Sequence, residues 1–148
     1  MNELSKSLET LALEQLEEIG SRLTKSRRLI LTALEMSTKP STVTQIAKFS
    51  DDIALSSMYR NLAVLEKAKL VTKIVNENDF AFYELDEHVL GHHHHIRCTK
   101  CGTVNDVELS NEIEDQLHKT SKIIARKYNF KNVEHFLDFA GTCSKCSG

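Results

Sequence analysis

Leu4, Leu8, Leu11, Leu13, Leu16 and Ile19 recur at mostly helical spacing ahead of Gly20, which predicts an amphipathic first helix with an acidic outer face. Thr24 or Ser26 can cap a second helix running to Met36, with Ile30, Leu31 and Leu34 on its inner stripe. Lys39-Pro40-Ser41 breaks that helix. A short third helix over 43–49, a turn at Ser50-Asp51-Asp52 and a fourth helix over about 56–68 follow, the last turning Leu62, Leu65 and Ala68 inward. Short, turn-separated helices of this kind are the parts of a helix-turn-helix unit. Two β-rich runs, 70–75 and 80–85, flank the polar turn Asn76-Glu77-Asn78-Asp79 and read as a hairpin. A hairpin directly after a recognition helix makes the winged variant of the motif.

Residues 86–91 read as a hinge. Beyond them the pattern predicts a strand through the His and Cys region and a second strand near 103–108. A helix over 110–128 and a last strand around 134–140 follow. The expected class is α+β: a winged-helix domain over 1–85, the hinge, and a small α/β domain over 92–148.

Charge sharpens this division. Residues 1–20 carry one Lys against five Glu, 21–75 carry ten Lys/Arg against four Asp/Glu, and 76–148 carry eight against twelve. A basic middle between acidic flanks points to an anionic partner, nucleic acid being the commonest. With 41% hydrophobic and 27% charged residues interleaved, neither wholesale disorder nor a collagen-like chain is expected. No run approaches the ~18–20 apolar residues of a membrane span, and the N-terminus lacks a signal peptide's apolar run. A soluble, cytoplasmic protein is expected.

All four cysteines lie between 98 and 146, as Cys98-Thr99-Lys100-Cys101 and Cys143-Ser144-Lys145-Cys146. Each C-x-x-C pair puts two sulfurs on one tight turn, and Gly102 follows the first pair as a knuckle favours. Four thiolates so placed can hold one tetrahedral Zn²⁺ at ~2.3 Å per sulfur and staple the chain's end to the domain's start. Disulfides do not suit a cytoplasmic protein. A thioredoxin-like C-x-x-C would need a βαβ context and leave its duplication unexplained, while an iron–sulfur cluster could also use four thiolates. Structural zinc is the favoured reading.

His92-His93-His94-His95 stands three residues ahead of Cys98. On an extended strand, alternate side chains face opposite ways. His92 and His94 therefore seed one metal site, and His93 and His95 another. Further ligands are available in Glu84, Asp86 and His88 near the hinge, Asp106 on the next strand, Glu114 and His118 on the long helix, and His135 before the last strand. His118 alone reads as a solvent-facing helix residue. A hydrolytic zinc site would need an open coordination position and a general base, and the chain has no H-E-x-x-H helix and no nucleophile elbow. No enzyme and no small organic substrate are expected.

Several separate motifs resemble one family. Leu55-Ser56-Ser57-Met58-Tyr59-Arg60-Asn61-Leu62 comes first, then Tyr83-Glu84-Leu85, then the His tetrad with Cys98-Thr99-Lys100-Cys101-Gly102. His135 and Gly141-Thr142-Cys143-Ser144-Lys145-Cys146 complete the series. In this order and spacing they closely resemble the ferric uptake regulator superfamily, from Thr24-Lys25-Ser26-Arg27 to Cys146. The resemblance implies a homodimeric, cytoplasmic transcription factor, usually a repressor, that binds double-stranded operator DNA when loaded with a divalent metal. It implies that Cys98, Cys101, Cys143 and Cys146 hold structural zinc. It assigns Glu84, His93, His95 and Asp106 to a regulatory hinge site, and His92, His94, Glu114 and His135 to a second site. It matches Tyr59 and Arg60 to the recognition pair that touches base and backbone. Ser57 would join Tyr59 at base edges, and Arg22, Lys25, Arg27, Arg28 and Arg60 would neutralise phosphates. The bland alternative for Tyr59 is a buried helix residue.

The chain also departs from the family pattern. Many iron- and peroxide-sensing members carry a His before the third helix, where this chain has Lys39-Pro40-Ser41. The spacing from Glu84 to the tetrad is about two residues longer than in common iron regulators. That puts His88 where zinc-sensing relatives carry a thiolate and adds it to the hinge site. The helix after Ser110 is about a turn longer, which admits Glu112 or His118 in place of Glu114. These differences favour Zn²⁺ over Fe²⁺ as the regulatory metal, with peroxide, manganese and nickel sensing behind. The readings from other classes are a metal-buffering protein and a thiol redox protein.

Overall fold

The computed structural model describes residues 3–49 and 51–148, so Ser50 of the expected 50–52 turn lies outside the described residues. The chain divides into two compact units, one ending at His92 and the other running from His93 to Gly148.

The N-terminal unit opens with α1 (Lys6–Glu18), capped by the Ser5 hydroxyl and burying Leu8, Ala12 and Leu16. Gly20, at φ +70°, lets the chain turn out of it. Of the two expected caps for α2 (Lys25–Met36) it is Thr24 that serves, its hydroxyl accepting from the Arg27 N–H. α3 (Val43–Ala47) starts on a reciprocal capping box between Thr42 and Gln45. α4 (Leu55–Lys67) buries Met58, Leu62 and Leu65. These side chains meet Ile30, Leu31, Leu34, Ile46 and Leu16 in one apolar core.

β1 (Val71–Val75) and β2 (Ala81–Leu85) pair antiparallel with Val71 opposite Leu85. The Asn76 side chain closes their turn by accepting from the N–H groups of Asn78 and Phe80. A single bridge from Ser41 to Tyr83 ties this hairpin to the segment before α3, completing the wing. The expected linker is not featureless. Glu87–Leu90 form a short α5, because Asp86 caps it by accepting from the His88 N–H and Gly91 ends it at φ +84°.

In the C-terminal unit, β3 (His94–Cys98) is central, with β4 (Val104–Val107) antiparallel on one side and β5 (Asp138–Gly141) parallel on the other. α6 (Asn111–Tyr128), capped by Ser110 and ended by Asn129 at φ +58°, makes the crossover that a parallel pair requires. β5 begins four residues later than the pattern predicts, its first residue Asp138 pairing with His95 of β3. The chain closes on a last helical turn, α7 (Ser144–Ser147), too short to show in the sequence pattern. This unit buries little apolar surface of its own and leaves Phe136 94% and Ile123 63% exposed. Among the described residues no helix is long and apolar enough to cross a membrane.

Candidate metal centres

Cys98 ends β3, Cys101 sits on the knuckle that follows, Cys143 caps α7 and Cys146 lies within it. Because β3 and β5 run parallel with Cys98 opposite Gly141, the two C-x-x-C pairs arrive side by side. All four sulfurs lie within 4.8 Å of one another, with Cys101 Sγ 3.7 Å from Cys143 Sγ. Cys98 Sγ accepts from the N–H groups of Cys101 at 3.5 Å and Cys143 at 3.3 Å. These donors, first Cys101 and then Cys143, pull the Cys98 thiol down to about 6. The Cys101 thiol is also lowered, chiefly by the Thr103 N–H. Cys146 is pushed up to about 12, chiefly by its hydrogen bond to Cys143. One sulfur in the group ionises readily and another resists, so a full tetrathiolate calls for a cation to neutralise it. The donor set fits a tetrahedral thiophilic ion.

Above the cysteines, successive residues of β3 serve opposite faces. His94 is 3% exposed, with Nδ1 3.2 Å from the Leu137 carbonyl and Nε2 2.6 Å from Glu114 Oε1. Donation from Nδ1 to that carbonyl orients the ring and leaves Nε2 toward Glu114. His135 completes this face: its Nε2 is 3.7 Å from Glu114 Oε2 and its ring stacks on His94 with centroids 5.4 Å apart. Glu112 and His118 are exposed on α6, so among the three candidates on that helix Glu114 is the one turned to the histidines. His92, the last residue of the N-terminal unit, has Nδ1 3.1 Å from Glu87 Oε2.

On the other face, Asp106 stands directly across from His95 on β4. Its Oδ1 is 3.4 Å from His95 Nε2 and 3.6 Å from His93 Nε2, and the two imidazoles meet edge to face at 5.0 Å. Two imidazoles and a carboxylate at this spacing suit a divalent transition ion. Asp138, which the pattern did not single out, stands across from His95 on β5. Its Oδ1 lies 3.8 Å from His95 Nδ1, and its Oδ2 lies 3.5 Å from Arg97 Nη1. Only the register of three strands reveals this Asp106–His95–Asp138 row.

In the N-terminal unit, Glu84 is buried on β2 opposite Thr72. The His88 Nδ1 is engaged by the Asp86 carboxylate, which orients the ring and leaves Nε2 as the nitrogen that could meet an ion. Burial alone would raise the Asp86 carboxyl, but hydrogen bonds from His88 and Thr72 outweigh it and hold the group below its ordinary value.

Tyr59 and Arg60 are exposed near the start of α4, which removes the buried-residue reading of Tyr59. The Ser57 hydroxyl is 3.4 Å from Arg60 Nη2. Arg22 and Lys25 are exposed beside the start of α2. Arg28 forms an ion pair with Glu9 of α1, and Arg27 bonds to Asn61 of α4 and to Ser21. Those two arginines are therefore partly committed within the unit. The Asn61 contact spans 34 residues and has no local signature in the sequence.

Comparison with known proteins gives a consistent picture. A family model described as the Ferric uptake regulator family matches residues 18–140. The Ferric uptake regulation protein of Bacillus subtilis is 37% identical over 100 residues, which cover 67% of this chain and 64% of that protein. The structure of the Helicobacter pylori ferric uptake regulator, described as having three functional metal binding sites, superposes with a TM-score of 0.74. That match covers 100% of this chain and 98% of the other at 24% identity, a likeness of fold. A zinc-bound manganese uptake regulator matches at 31% identity and a TM-score of 0.65, over 93% of this chain and 99% of its own.

Proposed function

The chain belongs to the ferric uptake regulator family, and from that premise we propose that it is a zinc-responsive repressor acting as a cytoplasmic homodimer on operator DNA. At the family's level it is a metal-responsive transcription regulator and not an enzyme. The observation that carries the finer reading is the pair of imidazole–carboxylate groups on opposite faces of β3, standing apart from the four-cysteine group. Cys98, Cys101, Cys143 and Cys146 have the donor chemistry of structural zinc. Imidazole and carboxylate donors serve zinc and iron alike, and the choice of zinc rests on Lys39-Pro40-Ser41 standing where many iron- and peroxide-sensing members carry a His and on the position of His88. The family name of the Bacillus subtilis relative favours ferrous iron instead, and that is the competing reading.

In this proposal His93, His95 and Asp106 receive the regulatory ion, with Glu84 supplied from the N-terminal unit as the family resemblance assigns. His88, its Nδ1 held by the Asp86 carboxylate, is the further candidate for this site. His92, His94, Glu114 and His135 form the second site. A bound ion shared by both units restricts the angles they sample and so raises the population that suits DNA. Coupling is reciprocal, so operator DNA tightens metal binding by the same factor. Arg22, Lys25 and Arg60 meet phosphates, and Ser57 and Tyr59 meet base edges. The apolar side chains exposed on the C-terminal unit, Ile123 and Phe136 among them, support pairing with a second copy. A dimer so formed presents two recognition helices to successive major-groove faces.

Operator affinity measured by fluorescence anisotropy at buffered free Zn²⁺, Fe²⁺ and Mn²⁺ tests this. Zinc is expected to act at the lowest free concentration relative to its availability in the cell. The double variant His93→Ala/His95→Ala is expected to lose the metal response while keeping its cysteine-bound zinc. A ferrous response at cellular iron levels with none to zinc would overturn the choice of metal. Chelator-reversible binding by the double variant would overturn the site.

A further inference from the structure

We propose that Arg27 is a positioning residue for the recognition helix α4 and not a phosphate contact; this rests on the DNA-binding reading above. Arg27 is the third residue of α2, and its backbone N–H is fixed on the Thr24 cap at 3.3 Å. Its guanidinium reaches in two directions. Nε donates to Asn61 Oδ1 at 3.0 Å, while Nη1 donates to Ser21 Oγ at 2.9 Å and to the Arg22 carbonyl at 2.5 Å. Asn61 passes the connection on, its Nδ2 donating to the Ser57 carbonyl one turn earlier in α4 at 2.9 Å.

One planar fork therefore joins the segment carrying Arg22 to the turn of α4 that carries Ser57, Tyr59 and Arg60. Arg27 is part-buried, whereas Arg22, Lys25, Tyr59 and Arg60 are exposed. Nε spends its single N–H on Asn61, and Nη1 spends both of its own on Ser21 and Arg22, so most of the donor set faces inward. The geometry is specific to guanidinium. Lysine keeps the charge but offers one ammonium in place of a rigid fork, and cannot reach Asn61 and Ser21 together in the same plane. The apolar side chains of α4 hold its buried face, and the hydrogen-bonded bracket adds a directional restraint at the turn that carries the recognition residues. Recognition residues need placement within about half an ångström, so loss of the bracket falls on sequence discrimination more than on general attraction to DNA.

The test uses the full-length chain, loaded with zinc and checked for wild-type zinc content and urea unfolding. The probe is a fluorescein-labelled duplex selected from a random-sequence pool by the wild-type chain, compared with poly(dI-dC). Arg27→Lys and Asn61→Ala are each expected to cut the specific-to-nonspecific affinity ratio about tenfold with an unchanged salt slope. The double variant is expected to be no worse than either single one, as for two residues of one connection. Asn61→Ala leaves Arg27 in place, which covers the case where Arg27 variants fold poorly, and Asn61→Asp, which keeps the acceptor for Arg27 but cannot donate to the Ser57 carbonyl, is expected to recover at most part of the lost ratio. Wild-type discrimination by Arg27→Lys, additive losses in the double variant, or a slope reduced by about 0.9 per subunit in Arg27→Ala would each overturn the assignment. If the wild-type chain selects no duplex at all, the regulator reading fails and carries this inference with it. Selection by wild type together with an unimpaired Arg27→Lys defeats this inference alone.

Discussion

Replacing Asp138 by Asn isolates the contribution of one carboxylate standing behind a metal-facing imidazole. In the strand register His95 has Asp106 on one side and Asp138 on the other. Asp106 faces Nε2, while Asp138 Oδ1 lies 3.8 Å from Nδ1. A negative charge at Nδ1 favours the tautomer protonated there, which presents the Nε2 lone pair to an ion. Asparagine keeps the size and the contact with Arg97 but drops the charge. Carboxylates in this role are typically worth 10–100-fold in metal affinity. Asp138 is half exposed and somewhat beyond direct hydrogen-bonding range, so solvent screening places the effect at the lower end. That is about tenfold, or roughly 1.4 kcal/mol.

Chelator-competition titration of the regulatory ion measures this directly. In the operator assay the midpoint should move to about tenfold higher free metal, while affinity at saturating metal stays at the wild-type level. One zinc per chain should survive dialysis, held by the cysteines. A midpoint that does not move would refute the orienting role. Parallel loss of the cysteine-bound zinc would mean that the substitution had damaged the sheet itself.

Two further outcomes follow from the same geometry. Arg60→Ala should weaken binding to every duplex and make the log–log dependence on salt shallower by about 0.9 per subunit, since one phosphate contact is lost; an unchanged slope in filter-binding or anisotropy data would remove the phosphate role. Because the Cys98 thiol is pulled down to about 6, it is largely a thiolate at pH 7.5, and zinc-stripped, reduced protein should release fewer than four protons on taking up the ion. The count should rise as pH falls through about 6, where Cys98 regains its proton; calorimetry in buffers of different ionisation enthalpy counts them, and four protons at pH 7.5 would contradict the thiolate.

Much of the architecture could be read from local pattern. Leu62 and Leu65 belong to one helical stripe and both are fully buried, because a 3.6-residue period leaves an amphipathic helix little choice of face. The two C-x-x-C pairs declare themselves by spacing, and the alternation of a strand separates His94 from His95. The features with no mark in the sequence are either too short or formed between distant residues. α5 and α7 have four residues each, below the length at which periodicity can be seen. The first starts on the Asp86 side-chain cap, and the second begins after Cys143 with no side-chain cap. The roles of Asp138 and Asn61 depend on partners 43 and 34 residues away, which composition and motif spacing do not encode. The Asp86 carboxylate that engages the His88 ring lies only two residues away, yet the spacing to the tetrad does not announce it.

The parallel pairing of β5 with β3 also bears on how the protein is made. When Cys98 and Cys101 leave the ribosome they are half of a cage, and the other half lies beyond the whole of α6. At ordinary elongation rates the 45 residues from Cys101 to Cys146 take roughly 2–9 s to synthesise. Even then the nascent strand must find a non-adjacent neighbour before the sulfurs meet. Ion capture therefore waits for the second pair, and a chain stalled before Cys143 cannot close this centre however much zinc surrounds it.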